Sequence, residues 1–376
     1  MTDRLPVALV LAASIPLLSS PVRGDDKVVL RGSAAQVSIA LGGGGIVEFR
    51  FLDQKINPLN WQAGEPEPVS ASPPKPRGHF LCLDRWGPPS AAEAKRGVPF
   101  HGEAPRVVWQ LVKPQDDSQR NQRRTEMGCL LPLAGLRIRR TLRLEDDQAL
   151  LTVVEEVTNT GPRGRIYNMV QHPSIAPPFL DDSTLVDSNA GHGFAQSGPV
   201  PESEQTASTW PRAVIRGGSV DLTRFRDTTA GVTQSDVSSF VFAESTVYGW
   251  VTASNPGRGL LIGYVWKTSD YPWLNIWRYI QNGRVAARGL EFGTTGYHQP
   301  FPVLVRTGRI LGRSLYDFID ADQTIRRKYV MFLLKIPEDY HGVAEVSIGR
   351  ERLTVVERGS QNPRTLKLET SRLFER

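Results

Sequence analysis

Apolar and polar residues alternate most regularly between Leu136 and Phe179. Leu136, Ile138, Leu142 and Leu144 share one parity, while Arg137, Arg139, Thr141 and Arg143 share the other. That is the pattern of a half-buried strand, because side chains alternate faces along a pleat. Glu145 to Gln148 is a polar break, after which Ala149, Leu151, Val153 and Val157 resume one parity, so a hairpin is predicted. Arg140 and Glu155 interrupt the apolar parity of the two strands. With Leu144 opposite Ala149 they are diagonal neighbours able to neutralise each other. Asn159-Thr160-Gly161-Pro162 turns the chain, and a third strand is predicted from Arg165 to His172, running into Pro173. Ile166, Asn168, Val170 and His172 then share a face. This puts His172 at a strand end on a sheet rim, where sites tend to form. The plainer alternative is a hydrogen-bonded structural histidine.

The same periodicity continues on both sides. Val28 to Leu59 reads as strand, Gly-rich turn and strand, ending in Ile-Asn-Pro-Leu-Asn-Trp. Gly42 to Gly45 is not a phosphate loop, since no Lys-Ser or Lys-Thr and no helical segment follows; a tight hairpin turn explains the glycines. Gln62 to Arg77 is a Pro-, Ser- and Glu-rich loop. From Thr246 to Phe292 strands alternate with Asn-Pro-Gly and Asn-Gly turns, and Trp250, Trp266, Trp273 and Trp277, four of the eight tryptophans, fall there. Flat aromatic faces stack on sugar C–H faces, and they also fill cores. On Val285 to Phe292, Glu291 shares a parity with Val285, Ala287 and Gly289, small neighbours that leave a carboxylate room to project into a cleft. Pro302 to Pro337 continues with strands, and the more polar Lys335 to Arg376 reads as a terminal strand pair with a frayed tail. No long amphipathic helix interrupts the series, so the expectation is an all-β fold, a large two-layer antiparallel β-sandwich.

Composition narrows the class further. The chain has 376 residues and 40% hydrophobic content, enough for a large ordered domain. Its net charge of +6 comes from scattered Lys and Arg, without the clustered basic face that nucleic acid requires. Arg4 precedes an apolar run from Leu5 to Leu18. This has the form of a secretory signal and is too short for a membrane span. The expected layout is therefore a signal over 1–24, one sandwich domain over 25–345, and a polar C-terminal strand and tail over 346–376. The mature protein is expected to be periplasmic or extracellular, with no stable membrane insertion. Cys82 and Cys129 are the only cysteines; export permits a disulfide, and two residues alone do not establish one. No Cys-x-x-Cys or His-x-x-x-His spacing suggests a metal site.

The arginine-rich strand, the strand ending in Val-Thr-Asn-Thr and the Asn-x-x-x-His-Pro of Asn168 to Pro173 resemble the centre of the galactose mutarotase-like (aldose 1-epimerase) superfamily. The glycine-rich opening hairpin before Asn57-Pro58-Leu59, the His101-Gly102 pair and the Arg288-Gly289-Leu290-Glu291 strand match it in order. The resemblance covers roughly Val28 to Pro337. Ser174-Ile175 depart from it, standing where an aromatic commonly follows the His-Pro.

This resemblance implies a supersandwich fold, sugar as the partner, and aldose 1-epimerase-like chemistry without a metal or organic cofactor. It implies Glu291 as general base and His172 as general acid, a pairing that supplies the proton transfers of ring opening near neutral pH. It also implies His101 and Arg85 as hydroxyl ligands, with Arg77 the rival to Arg85 because the spacing from Arg85 to His101 is short for the family. Asp236 matches an aspartate placed before a strand, and strand-starting turn chemistry explains it equally well. Trp277 is the expected stacking residue. Because one catalytic group must reach O1 and the other O5, a separation of about a sugar-ring width is expected between His172 and Glu291. The alternative function is a non-catalytic carbohydrate-binding or polysaccharide-processing accessory protein on the same fold. Lyase chemistry would call on a Tyr or Arg base, with Tyr167 and Tyr271 as candidates.

Overall fold

A computed structural model describes residues 27–64, 73–112, 123–359, 362–370 and 373–374. Residues 1–26, and with them the expected export signal, lie outside the described residues. The alternating segments form strands, with one exception: Phe301–Thr307, inside the stretch read as strands from Pro302, is a short α-helix, and among the described residues Ala91–Lys95 is the other.

Two antiparallel sheets carry the fold. The larger runs, edge to edge, through Lys27–Arg31, Ala35–Ala40, Ile46–Phe51, His79–Asp84, Arg165–Ile175, Arg284–Gly293, Trp273–Gln281, Gln234–Val241, His192–Ala195 and Ser208–Thr209. The smaller runs through Leu185–Ser188, Tyr248–Asn255, Leu260–Lys267, Thr324–Lys335, Leu150–Asn159, Leu136–Leu144, Arg124–Leu131 and Gln110–Leu111. Alternate residues of both sheets meet in one apolar interior: Leu83, Met169, Ile276 and Leu290 from the larger, Ile138, Val153, Trp266 and Met331 from the smaller. This is the two-layer sandwich that the family resemblance implies, built from the strands that the hydrophobic parity predicts. A third, smaller sheet of Val343–Ile348, Arg352–Glu357 and Thr365–Glu369 covers the outer side of the smaller sheet, burying Leu353, Val355 and Leu368 against Val330 and Phe332. The expected terminal strand pair is thus a three-stranded layer, anchored by its few apolar residues.

The glycine-rich segment is the predicted tight turn. Gly43 and Gly44 have positive φ, and a Cβ on Gly44 would lie 2.3 Å from the Trp109 ring. Only glycine combines that backbone with that approach.

Three details of register differ from the pattern-based expectation. Leu144 pairs with Leu151 rather than Ala149, which sets Arg140 directly opposite Glu155. The two are buried, with Arg140 Nε donating to Glu155 Oε1 at 2.7 Å. The third strand does not stop at His172 but continues through Pro173 to Ile175, and it is a central strand flanked by His79–Asp84 and Arg284–Gly293. Finally, a register shift opposite Tyr279 and Ile280 inserts Ala286 as an extra residue. Val285 is therefore turned into the interior with Leu290, and only Ala287 and Gly289 keep the face of Glu291. A bulge flips the parity of everything beyond it.

Candidate active site

The outer face of the larger sheet carries the site. Pro173 has no N–H to give to a neighbouring strand, and the ladder between the His172 and Glu291 strands is interrupted there. Gln171 pairs with Phe292 on one side of the gap and Ser174 with Gly289 on the other. His172 and Glu291 are left facing each other across it, with Nε2 to Oε1 at 3.2 Å. On the far side of His172, the cross-strand partner Phe80 stacks on the imidazole at 4.2 Å between ring centroids. Gly289 makes room for the carboxylate: a Cβ there would lie 2.7 Å from Glu291 Oε1.

These groups line a cavity of about 300 Å³, a volume at the lower end of small-molecule sites. Trp61, Phe80, Trp86, Phe100 and Trp277 supply its aromatic walls, and His101, His172, His298, Glu291, Arg106 and Ser235 its polar groups. Trp86 Nε1 donates to Glu291 Oε2 at 2.7 Å. Trp277 Nε1 donates to Ser235 Oγ at 2.9 Å, which fixes that ring. His101 sits on a loop with φ of 65°, a strained conformation for a side chain of its size and of the kind found at functional sites. The Gly87 N–H reaches His101 Nδ1 at 3.1 Å. Nδ1 is therefore the acceptor, and the neutral ring carries its proton on Nε2, as a hydrogen-bond donor.

Burial governs the protonation of these groups. It raises the Glu291 carboxyl well above the usual carboxylate range, and the Trp86 hydrogen bond offsets this only in part. It lowers His172 to about 3, against the opposing effect of a backbone hydrogen bond. Both shifts disfavour charge in a dry site, so the pair holds one proton between them and is neutral overall. His172 Nδ1 lies 3.0 Å from Ser174 Oγ; with Ser174 as acceptor there, Nε2 is left to exchange the shared proton with Glu291. His298 is lowered to about 4 and His101 well below its ordinary value, burial being the main cause in each.

The sequence-derived candidates divide clearly. His101, His172, Glu291 and Trp277 line one cavity. His172 and Glu291 touch, rather than standing a ring-width apart. The wider spacing is unnecessary chemically, because O1 and O5 of a pyranose are bonded to the same carbon. Arg85 is not among the lining residues: it is buried and held by Asp84 at 2.6 Å and Glu93 at 2.9 Å. Its neighbour Trp86 reaches Glu291 instead. Arg77 lines an adjoining groove. Asp236 binds Arg278 at 2.9 Å, while Ser235 and Val237 line the cavity; strand alternation puts Asp236 on the other face. Tyr167 and Tyr271 are buried core residues. Cys82 and Cys129 are free thiols, one on each sheet. Among the described residues no group of three or more His, Cys, Asp or Glu is arranged to hold a metal ion, and no helix is long and apolar enough to cross a membrane.

Trp61, Trp86 and His298 are site residues that motif reading missed. Trp61 stacks on Phe80 at 5.7 Å, and His298 meets the Trp86 ring edge-on at 4.6 Å. Trp61 directly follows the Asn-Pro-Leu motif and its Asn60, which is its one sequence signal; Trp86 and His298 adjoin no motif read from the sequence.

No family model matches this chain, and no curated protein does either. Solved structures do. The galactose mutarotase related enzyme from Lactobacillus acidophilus aligns with a TM-score of 0.57 and 11% identity, over 83% of this chain and 99% of its own. The galactose mutarotase-like protein from Lactobacillus casei ATCC 334 aligns with a TM-score of 0.54 and 14% identity, over 82% and 100%. The Slr1438 protein of Synechocystis sp. PCC 6803 gives a TM-score of 0.57 and 14% identity, over 85% and 100%. The chain therefore has the galactose mutarotase-like fold, at identities that speak to architecture alone.

Proposed function

We propose that this protein binds a reducing sugar in the His172–Glu291 cavity and catalyses exchange of its anomers, an aldose 1-epimerase-like reaction. The observation that carries the reading is the facing His172–Glu291 pair, 3.2 Å apart inside an aromatic-walled cavity of about 300 Å³. Burial leaves the resting proton on Glu291; its transfer across the 3.2 Å contact to His172 Nε2 gives the competent form, in which Glu291 is a carboxylate. Glu291 removes the O1–H proton, the O1 electrons form the C1=O1 double bond, and the C1–O5 electrons pass to O5, which takes the proton of His172. Rotation about C1–C2 presents the other face of the aldehyde, and the same steps in reverse close the ring. The pair begins and ends with one proton, so no net charge enters the dry cavity. Such positioned proton transfers contribute on the order of 10²–10⁴-fold. The His101 Nε2–H serves as a hydroxyl ligand, and Trp277 stacks on a sugar face.

The alternative is a protein that binds sugar in the same cavity without turning it over; Arg85 and Asp236, engaged in ion pairs outside the cavity, serve neither reading. NMR anomeric exchange across a panel of aldoses separates the readings, because only the enzyme accelerates exchange above the spontaneous rate. In either case the N-terminal apolar run supports export of the mature chain.

A further inference from the structure

The proposed mechanism uses only the small cavity, which adjoins a much larger feature. A groove of about 1110 Å³ continues along the outer face of the larger sheet and shares Trp61 and Trp277 with the cavity as common wall. A single sugar residue needs nothing on this scale. Tyr279 follows Trp277 two positions along the same strand, and the two rings lie nearly parallel, at 15° and 5.7 Å between centroids. Trp61 stands edge-on to Trp277 at 5.5 Å, at the junction of the two spaces. Tyr279 belongs to the groove and not to the cavity.

The opposite wall is polar. Glu48 lines it, with a carboxylate that accepts hydrogen bonds from Ser38 Oγ at 2.7 Å, Gln36 Nε2 at 2.8 Å and Arg50 Nε at 2.9 Å. Partial burial acts to raise its pKa, and these hydrogen bonds outweigh it, so the group is held below its ordinary value and stays ionised. Asn60 also lines the groove. The small bulge residue Ala286, displaced from the regular ladder, faces the same space. A row of aromatic faces opposite a fixed carboxylate and an amide suits a ligand whose residues each offer an apolar C–H face and a rim of hydroxyls.

We infer that the groove binds the further residues of an oligosaccharide whose reducing-end residue occupies the cavity. This rests on the reading of the cavity as an anomer-exchange site, and that reading sets the direction of the chain. Only the reducing end of an oligosaccharide carries a free anomeric hydroxyl, so only that end can meet Glu291 and His172. The rest of the chain passes Trp61 and Trp277 and stacks on Tyr279.

The test is anomeric exchange at the reducing end, followed by NMR, with cello- and chito-oligosaccharides of one to six residues. The expected result is a rise in kcat/KM of at least about tenfold from one residue to three, corresponding to one added stacking contact. In Tyr279→Ala that gain should shrink to about threefold or less. The wild-type length series decides the matter even if the variant does not fold. Exchange of the monosaccharide with no gain on lengthening overturns the groove assignment and leaves the cavity reading standing. Absence of exchange at every length, and with every aldose of a wider panel, overturns both.

Discussion

His172 and Glu291 face each other across an interrupted stretch of ladder, Nε2 to Oε1 at 3.2 Å, on adjacent central strands of the larger sheet. Pro173 brings about the interruption, and Gly289 leaves the space that the carboxylate fills. The facing arrangement thus depends on two residues that carry no functional group.

Gly289→Ala tests that dependence. The new Cβ would lie 2.7 Å from Glu291 Oε1 and 3.0 Å from Trp277 Cβ, and the carboxylate end is the part free to move. Anomeric exchange should fall by about tenfold or more, since a 1 Å misplacement of a catalytic group can cost roughly 10²-fold. Thermal stability should change little by comparison. Retention of the full rate would show that the carboxylate position is not critical.

Trp277 and Arg85 should separate in the opposite sense. Trp277→Ala removes a cavity wall and should weaken sugar affinity by about tenfold, the equivalent of one stacking contact. Arg85→Gln breaks a buried ion pair with Asp84, which keeps Arg165 as a second partner, and should cost about 1–3 kcal/mol of stability, read as a lowered urea midpoint. A loss of affinity in the Arg85 variant at temperatures where it remains folded would restore Arg85 as a sugar ligand.

The contrast between these two residues also marks how far the sequence could be read. Alternating parity reveals the strands, and the strands bring His172 and Glu291 together, because both project from regular segments. Parity also identifies the Arg140–Glu155 pair, two positions out of register. It fails wherever the backbone departs from regular pleating. The bulge at Ala286 turns Val285 to the other face, and Pro173 continues a strand that it was expected to end. Arg85 and Trp86 follow the strand ending at Asp84, where no periodicity indicates which of them turns towards the site. His298 lies in a segment without regular structure, and its position beside Trp86 depends on contacts across more than two hundred residues.

Acid stability should report on the buried histidines. His298 and His101 have pKa values depressed by burial, His298 to about 4, whereas the proton that His172 forgoes is held by Glu291, so that pair binds one proton folded or unfolded and adds no slope over this range. Folding therefore favours the neutral rings. The stability they contribute is complete above the unfolded histidine value of about 6.5 and is lost as pH falls through the folded values. Urea unfolding should show stability decreasing from about pH 6.5 towards pH 4, by up to about 1.4 kcal/mol per pH unit for each such histidine. His298→Gln should flatten that slope. An unchanged slope would mean that His298 is protonated in the folded protein.

The N-terminal reading predicts a mature chain beginning near Asp25, outside the cytoplasm. Intact-mass measurement of protein from the periplasmic or culture fraction checks this. Recovery of chains retaining residues 1–20 in the membrane fraction would refute it.

The most direct test of the central claim is anomeric exchange in the wild type and in Glu291→Gln, measured by NMR alongside sugar affinity. Glutamine keeps the size and hydrogen-bonding capacity of the side chain but cannot take the O1 proton. The account predicts exchange above the spontaneous rate for at least one aldose in the wild type, and a drop of at least about a hundredfold in the variant, with affinity little changed. Wild-type exchange equal to buffer across pentoses, hexoses and uronic acids, or full activity in Glu291→Gln, would contradict it.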